Sequence, residues 1–175
     1  MNSLSQEVID PRAFRNALGN FATGIAVVTA GQAGQDPVAM TVSSFNSVSL
    51  DPPLVLFSIG RNAPSLPALL DAPAFAVNVL NADQASLSDR FSGGRPDKWA
   101  GLAPTTGTTG CPLIGPSLAT FECRHFATYE GGDHVIVVGE VLNFEAASEC
   151  APLIFFRGNY HAVAQPSSIN KGSVQ

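Results

Sequence analysis

Apolar and polar positions change in short blocks along the chain, and the blocks set the elements. Phe14, Leu18 and Phe21 recur at helical spacing behind Asp10, a capping side chain, and Pro11, which suits a first turn; this predicts a helix over residues 10–21. The continuous apolar run from Gly24 to Ala30 predicts a buried strand, and the Gly- and Pro-bearing stretch from Gly31 to Pro37 a hairpin connection to a second strand over 38–44. Leu54–Ser58 reads as a third, short strand. Ser65 is placed to cap a short helix running to Leu70, Phe75–Leu80 is strand-like, and Asp83 is placed to cap a helix over 84–91. Gly, Pro and Thr dominate residues 92–116, which read as one long loop. Ser117–Thr128 alternates, with Ala119, Phe121, Cys123 and Ala127 on one side and Thr120, Glu122 and Arg124 on the other, as a half-buried strand does. Glu130–Asp133 supplies a turn into a partner strand, Val135–Phe144, and strand-like stretches at 153–156 and 159–163 close the pattern.

About seven short strands, short turns and few helices predict a mainly β protein, a small antiparallel barrel with short helices. A doubly wound parallel sheet would need helices between most strands, and the pattern lacks them. There is no internal repeat and no linker, so residues 1–165 read as a single domain and the polar stretch 166–175 as a disordered tail.

Composition narrows the picture. The 175 residues are 45% hydrophobic and only 13% charged, about half the charge usual in a soluble domain. So little charge over so much apolar side chain points to a large subunit interface, hence a homodimer. The net charge is −5 and the nine basic residues are scattered, which argues against a nucleic acid partner. No apolar run reaches membrane-spanning length, so no membrane association is expected, and the first residues show no basic-then-apolar leader. Three widely spaced cysteines, Cys111, Cys123 and Cys150, read as reduced thiols of a cytoplasmic protein.

The familiar chemical motifs are missing. There is no G-x-G-x-x-G after a strand and no G-x-x-x-x-G-K-[ST] loop. GPSLA, Gly115–Ala119, lacks the strand-then-helix setting of a nucleophile elbow. Cys123 and His125 are too few for a metal site, and no metal is expected. One stretch stands out: AMTVSSFNSVSLDPP, Ala39–Pro53, begins as a buried strand and then fills with hydroxyl and amide side chains. It fits an edge strand blunted against aggregation, or a wall that a flat polar ligand leans against.

Four stretches together decide more than any one of them. They are FRNALGNFATGIAVVT (Phe14–Thr29), AMTVSSFNSVSLDPPLVLFSI (Ala39–Ile59), GGDHVIVVGEV (Gly131–Val141) and PLIFFRGNYHAV (Pro152–Val163). In this order and spacing the chain resembles the short-chain flavin reductases, the FMN-binding split-barrel family that supplies reduced flavin to two-component monooxygenases. The resemblance implies a Greek-key antiparallel split barrel and FMN or FAD bound against Thr41, Val42, Ser43, Ser44 and Phe45, with Ser47 and Val48. Small residues there let main-chain N–H groups approach the polar edge of a flavin. Ala39 stands where many relatives have Gly. The resemblance also places cofactor contacts on SIGRNAPSL, where Asn62 and Ser65 are the phosphate candidates, and on RFSGG, which holds Arg90 and Phe91. Arg90 could grip a phosphate through two N–H groups, or pair with Asp89 or Asp97 at a solvated helix end; Arg61 and Lys98 are further cations.

Gly131-Gly132-Asp133-His134 matches the family's Gly-Asp-His motif, associated with nicotinamide dinucleotide binding. Glycines permit the tight turn, Asp133 fixes it, and His134 could then donate to an amide or pyrophosphate oxygen. His134 is accordingly the expected catalytic contact, with Tyr160 shaping the pocket. Hydride transfer needs stacked rings and no protein nucleophile. With few arginines to meet a 2′-phosphate, NADH is expected, with NADPH the alternative. The implied activity is NAD(P)H:flavin oxidoreductase feeding a separate flavin-dependent monooxygenase. A non-enzymatic flavin-binding or electron-transfer module on the same fold is the alternative, and an oxidase of a phosphorylated pyridine would want a denser basic pocket.

Overall fold

Apolar blocks seek two-sided burial, and a sheet curled on itself provides it. The computed structural model describes residues 9–31, 37–93, 97–147 and 150–163; the expected tail at 166–175 and most of the hairpin connection at 31–37 lie outside them. The elements in chain order are α1 (Pro11–Leu18), β1 (Thr23–Gly24), β2 (Ala26–Ala30), β3 (Val38–Val42), β4 (Asn46–Leu50), β5 (Pro53–Gly60) and α2 (Leu66–Asp71). There follow β6 (Ala74–Val79), a 3-10 turn (Ala82–Gln84) running into α3 (Ala85–Ser92), β7 (Thr105–Thr106), β8 (Pro112–Leu113), β9 (Ala119–Gly131), β10 (His134–Ala146), β11 (Ile154–Phe156) and β12 (Asn159–His161).

A seven-stranded antiparallel sheet in the order β3-β2-β6-β9-β10-β5-β4 forms the body, with small sheets β1-β11-β12 and β7-β8 beside it. The expected mainly β barrel with short helices therefore forms, and it is split: β3 and β4 end the order and are not hydrogen-bonded to each other. Inside it, Phe57 and Phe75 meet edge to face at 5.4 Å among Val28, Val77, Val137 and Cys123. Burying such a ring contributes about 1.5–3 kcal/mol. A second cluster, with Ile25, Val27, Leu80, Phe91, Ile114 and Leu153, holds α3 and the long loop against the sheet.

Three sequence expectations are corrected. The run Asn46–Leu50 is a strand, β4, which the polar composition concealed; it lies at the sheet edge and an extra residue, Val48, interrupts its register against β5. Asn81, not Asp83, caps the turn before α3: its side chain accepts from the Asp83 N–H while Gln84 accepts from the Asn81 N–H. Ser65 stands at the start of α2 in helical geometry and its side chain makes no cap bond. The long loop also pairs briefly with itself as β7-β8 and is pinned from below, the Thr29 hydroxyl donating to Pro112 O at 2.6 Å and the Ile114 N–H to Asn78 Oδ1 at 2.9 Å.

Glu122 is the least expected core residue. It is 2% exposed, although the alternation placed it on the polar side of β9. Thr108 Oγ1 (3.0 Å), the Thr109 N–H (2.7 Å), Thr109 Oγ1 (2.7 Å) and Asn143 Nδ2 (3.1 Å) all donate to it. Asn143 reaches it because Leu142 is an extra residue in the β9-β10 register. Burial would raise the carboxyl, but these donors outweigh it and hold the group at about 2. Among the described residues, no helix is long and apolar enough to cross a membrane.

Candidate functional site

Beside the split, β3 and β5 flank a cleft of about 610 Å3, within the usual range for small-molecule sites. One wall is the end of β3 and its continuation, Met40–Ser44; the facing wall is Ser58–Gly60 of β5 with Ala63–Ser65. Phe91, Ser92, Gly93 and Lys98 add to the lining from α3 and the loop after it, and half-exposed His134 stands at the mouth. Met40, Val42, Ile59 and Phe91 give it apolar surface, and the serines and exposed main chain give it polar edges. Such a lining suits a flat ring with one polar rim.

The hydroxyls of this wall have different employments. Thr41 Oγ1 donates to Ser88 O at 2.7 Å and ties β3 to α3. Ser44 Oγ accepts from the Ser58 N–H at 2.9 Å and donates to Ser58 O at 3.1 Å, bridging the two walls in place of a strand pair. Ser43 between them is exposed in the lining. The polar run thus divides: part of it stitches the split and part lines the cleft.

Of the residues singled out in the sequence, Thr41, Val42, Ser43, Ser44, Ser65, Phe91 and His134 share the lining. The others stand elsewhere. Phe45 packs toward the core, 5.5 Å from Phe121, and Ser47 and Val48 are exposed on β4. Asn62 is exposed in the turn after β5. Arg90 donates to Ala100 O at 2.9 Å, and the Arg61 guanidinium is engaged with Glu130 and Gly132 O. Tyr160 Oη lies 2.8 Å from Ser88 Oγ and 2.8 Å from Asp89 Oδ1, joining β12 to α3. Lys98, one of the further cations, is among the described residues the one Lys or Arg in the lining. Its place comes from loop geometry, which no periodicity signals. Met40, Ser58–Gly60, Ala63 and Pro64 were equally invisible as site residues, since a strand residue and a wall residue look alike in sequence.

His134 is held by its neighbour. Its Nδ1 lies 2.7 Å from Asp133 Oδ1, and the exposed Asp133 carboxyl is pulled below its ordinary range first by that hydrogen bond and then by the imidazole's charge. A carboxylate only accepts, so Nδ1 carries the proton and donates. Nε2 is the ring nitrogen nearest Gly60, where a Cβ would lie 3.9 Å from it. In the neutral ring Nε2 is therefore an acceptor, suited to a carboxamide N–H; the donation to an amide or pyrophosphate oxygen expected from the sequence would need the charged ring there.

The family model described as "Flavin reductase like domain" matches residues 18–164. The FMN reductase (NADH) SmoA of Agrobacterium fabrum is 48% identical over 150 residues, covering 85% of this chain and 84% of that protein. The reductase subunit HsaB of a flavin-dependent monooxygenase from Rhodococcus jostii is 37% identical over 167 residues, 95% of this chain and 85% of that one. The solved NADH:FAD oxidoreductase SgcE6 of Streptomyces globisporus C-1027, in complex with NAD and FAD fragments, superposes with a TM-score of 0.85 at 37% identity, covering 93% of this chain and 99% of that chain. Another curated relative is longer, and the chain spans 50% of its length.

Proposed function

Since the chain belongs to the flavin reductase-like family, we propose that it is an NADH-dependent flavin reductase that reduces FMN or FAD in the cleft between β3 and β5 and releases the product to a separate flavin-dependent monooxygenase. The observation that carries this reading is the cleft itself: an apolar slot edged by strand main chain, with a cation in the lining and an oriented histidine at the mouth. A bound flavin would supply the hydride-accepting ring, and the chain's part is to bind, orient and shield it. Met40–Ser44 and Ser58–Gly60 would sandwich the ring's polar rim, and Ser43 offers a hydroxyl to the side chain of the flavin. Lys98, rather than Arg90 or Arg61, would meet the phosphate. His134, fixed by Asp133, would meet the nicotinamide carboxamide. The relatives named for NADH, SmoA and SgcE6, support NADH over NADPH.

The working form in this proposal is a homodimer. Phe14, Leu18 and Phe21 are 54%, 58% and 76% exposed, and α1 has no buried residue in the single chain. A helix stabilised mainly by packing of its apolar face needs something to cover that face, and a second copy provides it. Light scattering is expected to give twice the 18.2 kDa chain mass; a clean monomer at micromolar concentration refutes the dimer. The three cysteines are free thiols, in keeping with a cytoplasmic setting.

The activity is tested by mixing catalytic protein with NADH and a large excess of free flavin without oxygen. Many equivalents of flavin should be reduced per subunit. Reduction that stops at one equivalent favours the bound-cofactor electron-transfer module instead.

A further inference from the structure

Strand β5 runs out at Gly60, opposite His134, where its ladder with β10 ends. Beyond that point the β9-β10 hairpin projects with Gly131, Gly132, Asp133 and His134 all exposed and Gly132 at φ +75°. Little packing fixes such a tip. What ties the turn to β5 beyond the ladder pair His134–Gly60 is one residue, Arg61. Its main-chain N–H donates to Asp133 O at 2.9 Å, continuing the ladder past the last paired residue. Its Nε–H donates to Gly132 O at 2.8 Å, and its terminal nitrogen pairs with the Glu130 carboxylate across the hairpin. Three of the tip's residues thus answer to a single side chain and its own amide. A planar guanidinium with several fixed donors is suited to this, whereas an ammonium would satisfy one partner at a time.

We infer that Arg61 is a positioning residue for His134: it fastens the Gly132-Asp133 turn to the end of β5 and so sets where the imidazole stands at the mouth of the cleft. The inference rests on the reading that His134 meets the nicotinamide. It gives Arg61 a role other than the phosphate contact that its charge suggests, because the guanidinium is spent on the hairpin. It also makes nicotinamide use and flavin binding separable, since Arg61 is not in the cleft lining while the residues of β3 are.

A mere surface ion pair of two exposed side chains would contribute little and would not discriminate between the two ligands. The test is therefore a double-mutant cycle read in two constants. R61A, H134A and R61A/H134A are compared with the unmodified protein for KM of NADH at saturating FMN and for Kd of FMN by titration. Thermal melts confirm that each is folded. H134A is expected to raise KM for NADH about five- to tenfold, the effect of one lost hydrogen bond. R61A should raise it severalfold with the Kd of FMN unchanged within about twofold. The double variant should match H134A alone, because a displaced histidine that is absent costs nothing further. R61K, with one point donor, should fall between R61A and the unmodified protein. Multiplying effects in the double variant overturn the inference, as does an R61A that loses FMN affinity in step with NADH, or that changes neither constant while H134A raises KM. An H134A variant with unaltered KM for NADH removes the premise instead, and it is recognised in the single variant with Arg61 intact. Should R61A not fold, R61Q, which keeps an N–H for Gly132 O and drops the ion pair, takes its place in the same cycle.

Discussion

Replacing Glu122 by Gln tests the buried carboxylate directly. Four donors converge on its two oxygens. An amide offers one oxygen and one NH2, so whichever way it turns, one donor pair faces hydrogens. The Thr hydroxyls can rotate to accept, but the Thr109 N–H cannot, and Asn143 must flip its own amide. Leaving a buried donor unmatched costs about 1–3 kcal/mol, and bonds to a charged acceptor are worth more than neutral ones. A loss of about 2–4 kcal/mol at pH 7 is expected, most of it released by loosening of the Gly107–Cys111 loop. The pH dependence is the sharper reading. A carboxyl lowered from 4.5 to about 2 in the folded state adds stability that is complete above pH 4.5 and is lost as pH falls toward 2. Linkage at about 1.4 kcal/mol per unit gives a loss of about 2 kcal/mol between pH 7 and pH 3. Urea denaturation across that range should show a slope in the unmodified protein that is shallower by this amount in E122Q, so the gap between them narrows in acid. Parallel curves for the two proteins would show that Glu122 is not the group responsible. Buried Cys111, whose thiol is raised first by burial, should react with a thiol reagent faster in E122Q, reporting the loosened loop.

Three further outcomes are expected. Gly139→Ala would place a Cβ 2.3 Å from Phe75 Cζ and 2.9 Å from Cys123 Cβ, so overpacking should cost about 1–3 kcal/mol in a thermal melt. Lys98→Met should weaken FMN about tenfold while leaving riboflavin, which lacks the phosphate, unaffected; equal weakening of both would move the phosphate contact elsewhere. Tyr160→Phe removes the link from β12 to Ser88 and Asp89 and should cost about 0.5–1.5 kcal/mol in a urea titration, with NADH use unchanged.

The elements that carried a clean period were legible in the sequence. The apolar blocks of β2, β3, β5 and β6 and the β9-β10 hairpin stand within a few residues of their expected places, because burial on both faces or on alternate faces writes itself into the residue order. Strand β4 did not, since an interrupted edge strand leaves both faces wet and selects no pattern. Glu122 did not either: alternation marks which way a side chain points, and only the β7-β8 loop folding over that face makes it a buried one. Within the site, Thr41–Ser44 were legible as a wall because small residues crowd there. Lys98 was not, because its place depends on the path of a long loop. Arg61 showed its charge and hid its use, since its partners lie about seventy residues away in the chain.

The seam between β3 and β4 also bears on solubility. Each of these strands has a hydrogen-bonded neighbour on one side only, and such a rim is a template for the strand of another chain. Along β3 the rim is partly closed by Thr41's bond to α3 and Ser44's bonds to Ser58, and the main chain left open lies in the wall of the cleft, so the groups that on the proposed reading would meet a flavin are those that, unfilled, could recruit a stranger. On the proposed reading a ligand in the cleft would serve as a stopper as well as a reactant, and it would stabilise the folded chain by mass action, by about 2.7 kcal/mol at a hundredfold excess over Kd. The empty protein should be the form that precipitates on warming or storage, and free flavin, with no NADH present, should keep it in solution.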